Sequence, residues 1–179
     1  LALHQAVREV VFMLKQGQKS LNETCDLICE KKKKLVPKIL EREELIDRLQ
    51  QEITGYLVEL SRKNPDPAES ALIPALIHAV NDAERLGDHA QEMVELSQLL
   101  EENKQKLSKK ALKGIRDLQA GLNKQFEIIF ETLENSRPDG VEQALSVEMD
   151  VSRLLKELTD AHVNRLDAGK CDVQAGVVY

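Results

Sequence analysis

The sequence predicts an all-α protein. Charged residues make up 31% of the chain, aromatic residues only 3%, and there is no Trp. Gly and Pro are few, 8 and 5 residues, beside long stretches rich in Leu, Glu, Lys and Ala. Within those stretches apolar residues recur at alternating steps of three and four, which is the spacing of one face of a helix. The composition favours long packed helices over sheets, and the regular spacing predicts antiparallel helices in a left-handed bundle.

Three apolar series predict the first three helices. The series are Leu3, Val7, Val10, Leu14, Gly17, Leu21, Cys25 and Ile28; Leu35, Ile39, Ile46, Leu49, Ile53, Tyr56 and Leu60; and Leu72, Leu76, Ala79, Ala83, Leu86, Ala90, Met93 and Leu100. Asp66 and Glu69 form a capping box with Pro67 at the first helical position, so the third helix should begin there. Pro74 lies inside the same segment and predicts a kink or a later start.

Three more helices follow in the sequence. Ser108 should open a long fourth helix, whose apolar face contains Ile115, Leu118, Leu122, Phe126, Ile129 and Leu133. Asp139 with Glu142 is a second capping box, and it predicts a fifth helix that runs to about Leu166. Gly169 then provides a stop, and Asp172 could cap a sixth helix.

An internal repeat organises these helices. A shift of about 105 residues places Glu43 on Glu148, Leu49 on Leu154 and Glu52 on Glu157. The chain is therefore predicted to be two tandem three-helix bundles. The first repeat covers residues 1–105, and the second, residues 106–179, lacks most of its third helix.

Charge and cysteine content indicate which partners and which cellular compartment the protein is expected to have. A net charge of −6 argues against nucleic acid as the main partner. No apolar run approaches the roughly 20 residues that cross a bilayer, so a soluble chain is expected. The first residue is Leu and not Met, so the sequence could be a piece of a longer one. The 3 Cys form no disulfide framework, which favours a reducing, cytosolic compartment.

Two smaller features have competing interpretations. Cys25 and Cys29 are one helical turn apart and could hold a soft metal, but Cys25 also fits the apolar face of its helix, where a free Cys packs like a small hydrophobe. The lysines at 31–34 are the only basic run. The favoured interpretation is a solvated helix end or turn, and contact with anionic lipid is the alternative.

Two pairs of carboxylates are the main candidate site. Glu84 and Asp88 are four residues apart, so both project from one face of the third helix. Glu43 and Asp47 have the same spacing on the second helix. If these two helices pack antiparallel, the four carboxylates converge on one groove. Helical bundles build metal sites in this way, and carboxylates suit hard or borderline cations.

Other interpretations of the acidic pairs remain open. They could form a solvated acidic face, or Arg48 and Arg85 could neutralise them in surface ion pairs. Glycine is unfavourable in the interior of a helix, so its presence at Gly87 suggests close approach of a backbone or a ligand. His89 points away from Asp88 and would need another helix to serve as a ligand. The sequence contains neither a phosphate-binding loop nor a nucleophile elbow, so no enzyme is predicted.

Residues 81–89, Asn-Asp-Ala-Glu-Arg-Leu-Gly-Asp-His, resemble the Glu(Asp)-xxx-Asp signature of the PhoU family. Residues 44–49 and 169–176 resemble the same family. The resemblance implies two three-helix bundles that carry iron or zinc clusters through the acidic motif. Glu84 and Asp88 match the first motif, and Asp47 matches an acidic position of the second helix. A second motif is absent and Ser152 stands where the repeat aligns Asp47, so a second cluster is not expected.

The resemblance also implies a function. Residues 52–60 and 79–82 look closer to PhoU-like domains fused behind sodium/phosphate cotransporters than to free-standing regulators. The expected function is regulation of a membrane phosphate transporter at the cytosolic face of the inner membrane, with iron, zinc or manganese as the metal. The alternatives are a free-standing adaptor of a phosphate transporter or its sensor kinase, and a helical-bundle metalloenzyme. Assembly into a homo-oligomer is left open.

Overall fold

Five long helices make up the computed structural model, which describes residues 2–63, 65–135 and 140–168. They are α1 (Ala2–Glu30), α2 (Val36–Ser61), α3 (Pro67–Glu102), α4 (Lys109–Asn135) and α5 (Gly140–Asp167). A single 3-10 turn, Lys33–Leu35, lies between α1 and α2. The described residues contain no strand, so the all-α prediction is confirmed. The predicted sixth helix lies outside the described residues.

The helix starts follow their capping signals. α3 begins at Pro67 and continues through Pro74. The start that the capping box predicted is therefore confirmed, and the alternative of a later start, suggested by Pro74, was wrong. The Ser108 hydroxyl accepts a hydrogen bond from the Ala111 N–H at 3.1 Å, which satisfies one of the unpaired donors in the first turn of α4. α5 begins one residue after Asp139, as predicted.

α1 is the central helix, because it packs against α2, α3 and α4. In the described part of the chain α5 packs against α4 alone. The main core contains Ala6, Val10, Val11, Met13, Leu14, Ile46, Ile53, Leu57, Ile73, Leu76, Val80, Ala83, Phe126 and Phe130. α4 thus contributes its two phenylalanines to the core of the first three helices. The division into repeats at 105 and 106 stays a prediction, and its boundary falls in the connection between α3 and α4.

α2 and α3 pack antiparallel. The Ile46 side chain lies against Gly87, and Gln50 Nε2 donates to Asn81 Oδ1 at 3.3 Å. Residue numbers therefore rise along α2 as they fall along α3. This is the arrangement that the convergence of the two acidic pairs requires.

Two predicted core positions are wrong. Tyr56 is 38% exposed and Leu72 is 37% exposed. Tyr56 lies near the C-terminal end of α2 and Leu72 near the N-terminal end of α3. The residues next to them, Leu57 and Ile73, are buried, so the covered face of each helix passes through the adjacent position and the predicted series was displaced by one residue there.

The contact between α1 and α4 has a polar centre. Asn123 Nδ2 and Gln119 Nε2 both donate to Asn22 Oδ1 at 2.8 Å, and Asn22 Nδ2 donates back to Asn123 Oδ1 at 3.0 Å. One turn further along, Arg116 Nη1 donates to Asp26 Oδ1 at 2.8 Å. Satisfied polar networks of this kind fix the register of two helices more than they add stability.

None of the helices in the described part of the chain is both long enough and apolar enough to span a membrane.

Candidate metal centre

Three of the four predicted carboxylates meet at the contact between α2 and α3. One oxygen from each of Glu43, Asp47 and Asp88 lies within 4.8 Å of the other two. Glu43 and Asp47 are half-buried, whereas Asp88 is exposed. We call these three residues the acidic triad. It has the open side that a metal ion would need to enter from solvent.

An apolar contact sets the spacing of the acidic triad. Ile46 is fully buried, and it precedes Asp47 on α2. Its methyl groups lie 3.4–3.5 Å from the position that a Cβ on Gly87 would occupy, and Gly87 precedes Asp88 on α3. The close approach of a backbone that the sequence suggested at Gly87 is not found, and the neighbour there is a side chain of α2 in ordinary van der Waals contact. This contact brings the carboxylates of the two helices to the same groove.

Glu84 flanks the acidic triad and shares its electrostatic field. Burial, followed by the charges of Asp88 and Asp47, raises the pKa of the Glu84 carboxyl, and Arg85 lowers it by a smaller amount. Burial and the neighbouring carboxylates also raise the pKa of Glu43. Both shifts have the direction expected where like charges gather without a compensating cation.

The ion-pair alternative is not found among the described residues. None of the four carboxylates forms an ion pair there, and Arg48 forms none either. Arg85 Nη1 lies 3.9 Å from Asp82 Oδ1, and both side chains are exposed. His89 Nδ1 lies 3.0 Å from Glu92 Oε2, on another side of α3, so His89 is not brought to the acidic triad.

The donor set fits a cation. Carboxylate oxygens are the ligands of hard and borderline ions such as manganese, iron and zinc. Such an ion would relieve the repulsion that raises the pKa values of Glu43 and Glu84. The role of these residues as metal ligands stays a prediction, but their convergence on one groove is a feature of the fold.

The cysteines favour the structural interpretation. Cys25 is buried, and burial raises the pKa of its thiol to about 11. Burial also raises the pKa of Cys29, whose Sγ lies 3.9 Å from the Leu112 carbonyl oxygen. Metal binding requires the thiolate, and both environments disfavour it.

One buried ion pair beside the site was missed. Arg42 adjoins Glu43 in the sequence, but its guanidinium turns towards α1 and donates to both carboxylate oxygens of Glu23, at 2.5 and 3.3 Å. It therefore does not neutralise the acidic triad. The available signal was the gap between Ile39 and Ile46 in the apolar series of α2, which Arg42 fills.

Comparisons with known proteins agree with this architecture. Residues 10–97 match the family model described as PhoU domain. The chain is 24% identical over 178 residues to the phosphate-specific transport system accessory protein PhoU homolog 1 of Thermotoga maritima, an alignment that covers 99% of this chain and 75% of that protein. No solved structure gave a match. The matched segment contains α2 and the acidic triad, so residues 10–97 of this chain are a PhoU domain.

Proposed function

We propose that this chain is a regulatory domain of phosphate transport, located in the cytoplasm at the face of the inner membrane, where it contacts a membrane phosphate transporter. The observation that carries the proposal is the acidic triad inside the matched segment at residues 10–97. The name of the Thermotoga maritima relative, an accessory protein of a phosphate-specific transport system, supports the same role. The proposed role is regulatory and not catalytic.

The transporter type is a finer part of the proposal. The resemblance of residues 52–60 and 79–82 to domains fused behind sodium/phosphate cotransporters favours a sodium-dependent transporter in the same polypeptide. The second candidate is a separate adaptor protein that contacts a transporter or its sensor kinase. The name of the Thermotoga maritima relative favours this second candidate, because it describes an accessory protein.

Phosphate uptake tests the regulatory role. Cells that lack the gene should take up phosphate at a rate that no longer falls when external phosphate is abundant, because the regulatory contact is missing. When the gene is restored at its own locus, phosphate uptake should again fall when external phosphate is abundant. Uptake of radiolabelled phosphate, measured across limiting and replete conditions, reads this directly. An unchanged response in the deletion strain would contradict the proposal.

The acidic triad, with Glu84 beside it, is proposed to hold iron, zinc or manganese. A bound cation there would link α2 to α3 and would present a Lewis-acidic surface to anionic groups. Glu43 and Asp47 would supply oxygen ligands from α2, and Asp88 would supply one from α3. Glu84 lies on the same face of α3 as Asp88, and it would either bind the metal as a further ligand or orient the carboxylates that do.

Metal content should depend on the acidic triad. Protein carrying Glu43→Gln and Asp88→Asn is expected to lose the iron, zinc or manganese that elemental analysis finds in the wild type, because half of the donor charge is gone. The matched control is Glu41→Gln with Asp82→Asn, which removes the same charges from exposed positions on the same two helices. Equal metal content in both variants would refute the site.

The pH dependence of the metal effect provides an independent readout. A raised pKa in the folded state means that Glu43 and Glu84 stabilise the metal-free fold fully below the ordinary value of 4.5, and that this contribution is lost as the pH rises through the raised values. Near pH 7 the carboxyl groups of Glu43 and Glu84 are therefore ionised, and their repulsion with the neighbouring carboxylates is largest. Added metal should raise the melting temperature more near pH 7 than near pH 5, and this difference should vanish in the double variant.

A further inference from the structure

Lysines from two separate connections meet at one end of the molecule. α1 and α3 run parallel, since Gly17 lies against Leu86 and both Leu27 and Leu100 line one cavity near the ends of these helices. The connection after α1 and the connection after α3 therefore lie side by side, next to the start of α4. We call the lysines of these segments the basic end: Lys31, Lys32, Lys33, Lys34, Lys104, Lys106, Lys109 and Lys110. They are concentrated there in a chain whose net charge is −6.

A cavity opens at the basic end. Its volume is about 340 Å³, within the range of small-molecule sites. The floor is aliphatic and the rim is charged. The floor is formed by Leu27, Ile28, Leu100, Leu107 and Leu112, and the rim by Lys31, Lys33, Lys104, Lys106 and Glu101. No aromatic side chain is among the described residues that line it, so a stacked nucleobase has no partner there.

Most of the rim charge is not neutralised. Lys33 pairs with Glu101. Lys31, Lys104 and Lys106 are exposed, and none of them forms an ion pair with a described residue. α4 begins with two lysines and has no acidic residue in its first turn, where acids are usually favoured. The helix end and the lysines thus add to the same positive potential.

Two rim lysines occupy backbone positions that favour glycine. Lys31 has φ 55° and Lys104 has φ 54°, each just after a long helix. A left-handed backbone costs a non-glycine residue roughly 1 kcal/mol or more, and glycine is the usual residue at this point of a helix end. Lysines do offset the negative C-terminal ends of α1 and α3. That role accounts for charge near the helix ends, but not for an apolar cavity beneath it.

We propose that the basic end binds anionic phospholipid of a membrane surface, with the headgroup phosphate on Lys31, Lys104 and Lys106 and an acyl chain in the cavity. Charge complementarity identifies the ligand as anionic, and the aliphatic floor identifies its body as a hydrocarbon chain. The basic end extends beyond the cavity to Lys109 and Lys110, which matches a surface of headgroups. This site is separate from the acidic triad and does not depend on the function proposed for it.

Vesicle binding tests the proposal. The chain should sediment with phosphatidylcholine vesicles that contain phosphatidylglycerol, should not sediment with pure phosphatidylcholine, and should be released at high salt. The variant Lys31→Gln/Lys104→Gln/Lys106→Gln should bind roughly 100-fold more weakly, about a factor of five for each lysine near an anionic surface. The control Lys19→Gln/Lys124→Gln/Lys156→Gln carries the same charge change at exposed positions outside the basic end and should bind like the wild type.

Two further measurements separate the lipid from other anions and from a folding defect. Lysophosphatidylglycerol below its micellar concentration should compete with vesicles, whereas glycerol phosphate and inorganic phosphate at equal concentration should not. Equal competition by inorganic phosphate would overturn the lipid proposal, as would equal vesicle binding by the two triple variants. If the first triple variant has a lower melting temperature than the wild type, the single variant Lys106→Gln replaces it, because Lys106 forms no ion pair with a described residue. Lys106→Gln should still weaken vesicle binding about fivefold, and unchanged binding would overturn the proposal.

Discussion

Arg42→Met is expected to lower the free energy of unfolding by about 3 kcal/mol. The Arg42 side chain is only 9% exposed and that of Glu23 is 17% exposed. The substitution keeps the length of the side chain but leaves the Glu23 carboxylate in a largely buried position without its two-point partner. An unpaired buried charge of this kind destabilises a fold far more than the intact pair stabilises it. Urea denaturation followed by circular dichroism measures the change.

Two variants separate the charge effect from the loss of packing. Glu23→Gln combined with Arg42→Met should recover most of the loss, because no unpaired charge then remains. Arg153→Met removes an exposed arginine that donates to Asp150 at 2.8 Å, and it should change the unfolding free energy by less than about 0.5 kcal/mol. If Arg42→Met behaved like Arg153→Met, the pair at Arg42 would be solvated and not buried.

Much of the fold could be predicted because helix starts and helix faces are encoded locally. The capping residues before α3 and α4 act within one turn of themselves, so Asp66 and Ser108 were sufficient to place Pro67 and Lys109. Burial depends instead on which helices cover a face. α1 is covered on three sides, and Met13, Ser20 and Thr24 are therefore buried although they lie outside its predicted apolar series.

The buried arginine shows where apolar spacing fails. The apolar series on α2 passes from Ile39 to Ile46 with no apolar residue at positions 42 and 43, although helical spacing requires a buried position there. Arg42 occupies that position, and it can do so because Glu23 faces it from α1. A pattern that counts only apolar residues cannot identify a buried charge, since the compensating partner lies 19 residues away in the sequence.

The acidic triad could be predicted from the sequence only on the condition that α2 and α3 pack antiparallel. The spacing of Glu43 with Asp47, and of Glu84 with Asp88, follows from one helix each. Their meeting depended on antiparallel packing of α2 and α3, which the short connection between these helices favours. The sequence could not determine that Asp88 would join the two acids of α2 more closely than Glu84, because the register of the two helices decides it.

The basic end was predicted only in part for the same reason. The run at 31–34 was visible in the sequence, and its placement at a turn is confirmed. Lys104 and Lys106 stand about 70 residues further along, as single charges in an unremarkable connection. Only the parallel arrangement of α1 and α3 brings the two connections together. Features shared by distant segments were thus the ones that sequence patterns did not reveal.

Ile46→Ala is the second substitution with a large expected effect, and it links packing to the proposed metal site. Ile46 is fully buried, and loss of three methyl or methylene groups from a core position costs about 2–5 kcal/mol. The same substitution removes the side chain that lies against Gly87, so the distance between α2 and α3 is no longer fixed beside Asp47 and Asp88. Both stability and metal affinity should fall, as measured by urea denaturation and by metal titration.

Ile53→Ala is the matched control, because Ile53 is a buried isoleucine of the same helix and the same core, two turns beyond Ile46. It should lower stability by a similar amount but leave metal affinity near that of the wild type under conditions where both variants are folded. This comparison removes general destabilisation as an explanation. If the two variants bound metal equally well, the contact between Ile46 and Gly87 would not position the acidic triad, and the carboxylates would have to be held in place by the ion itself.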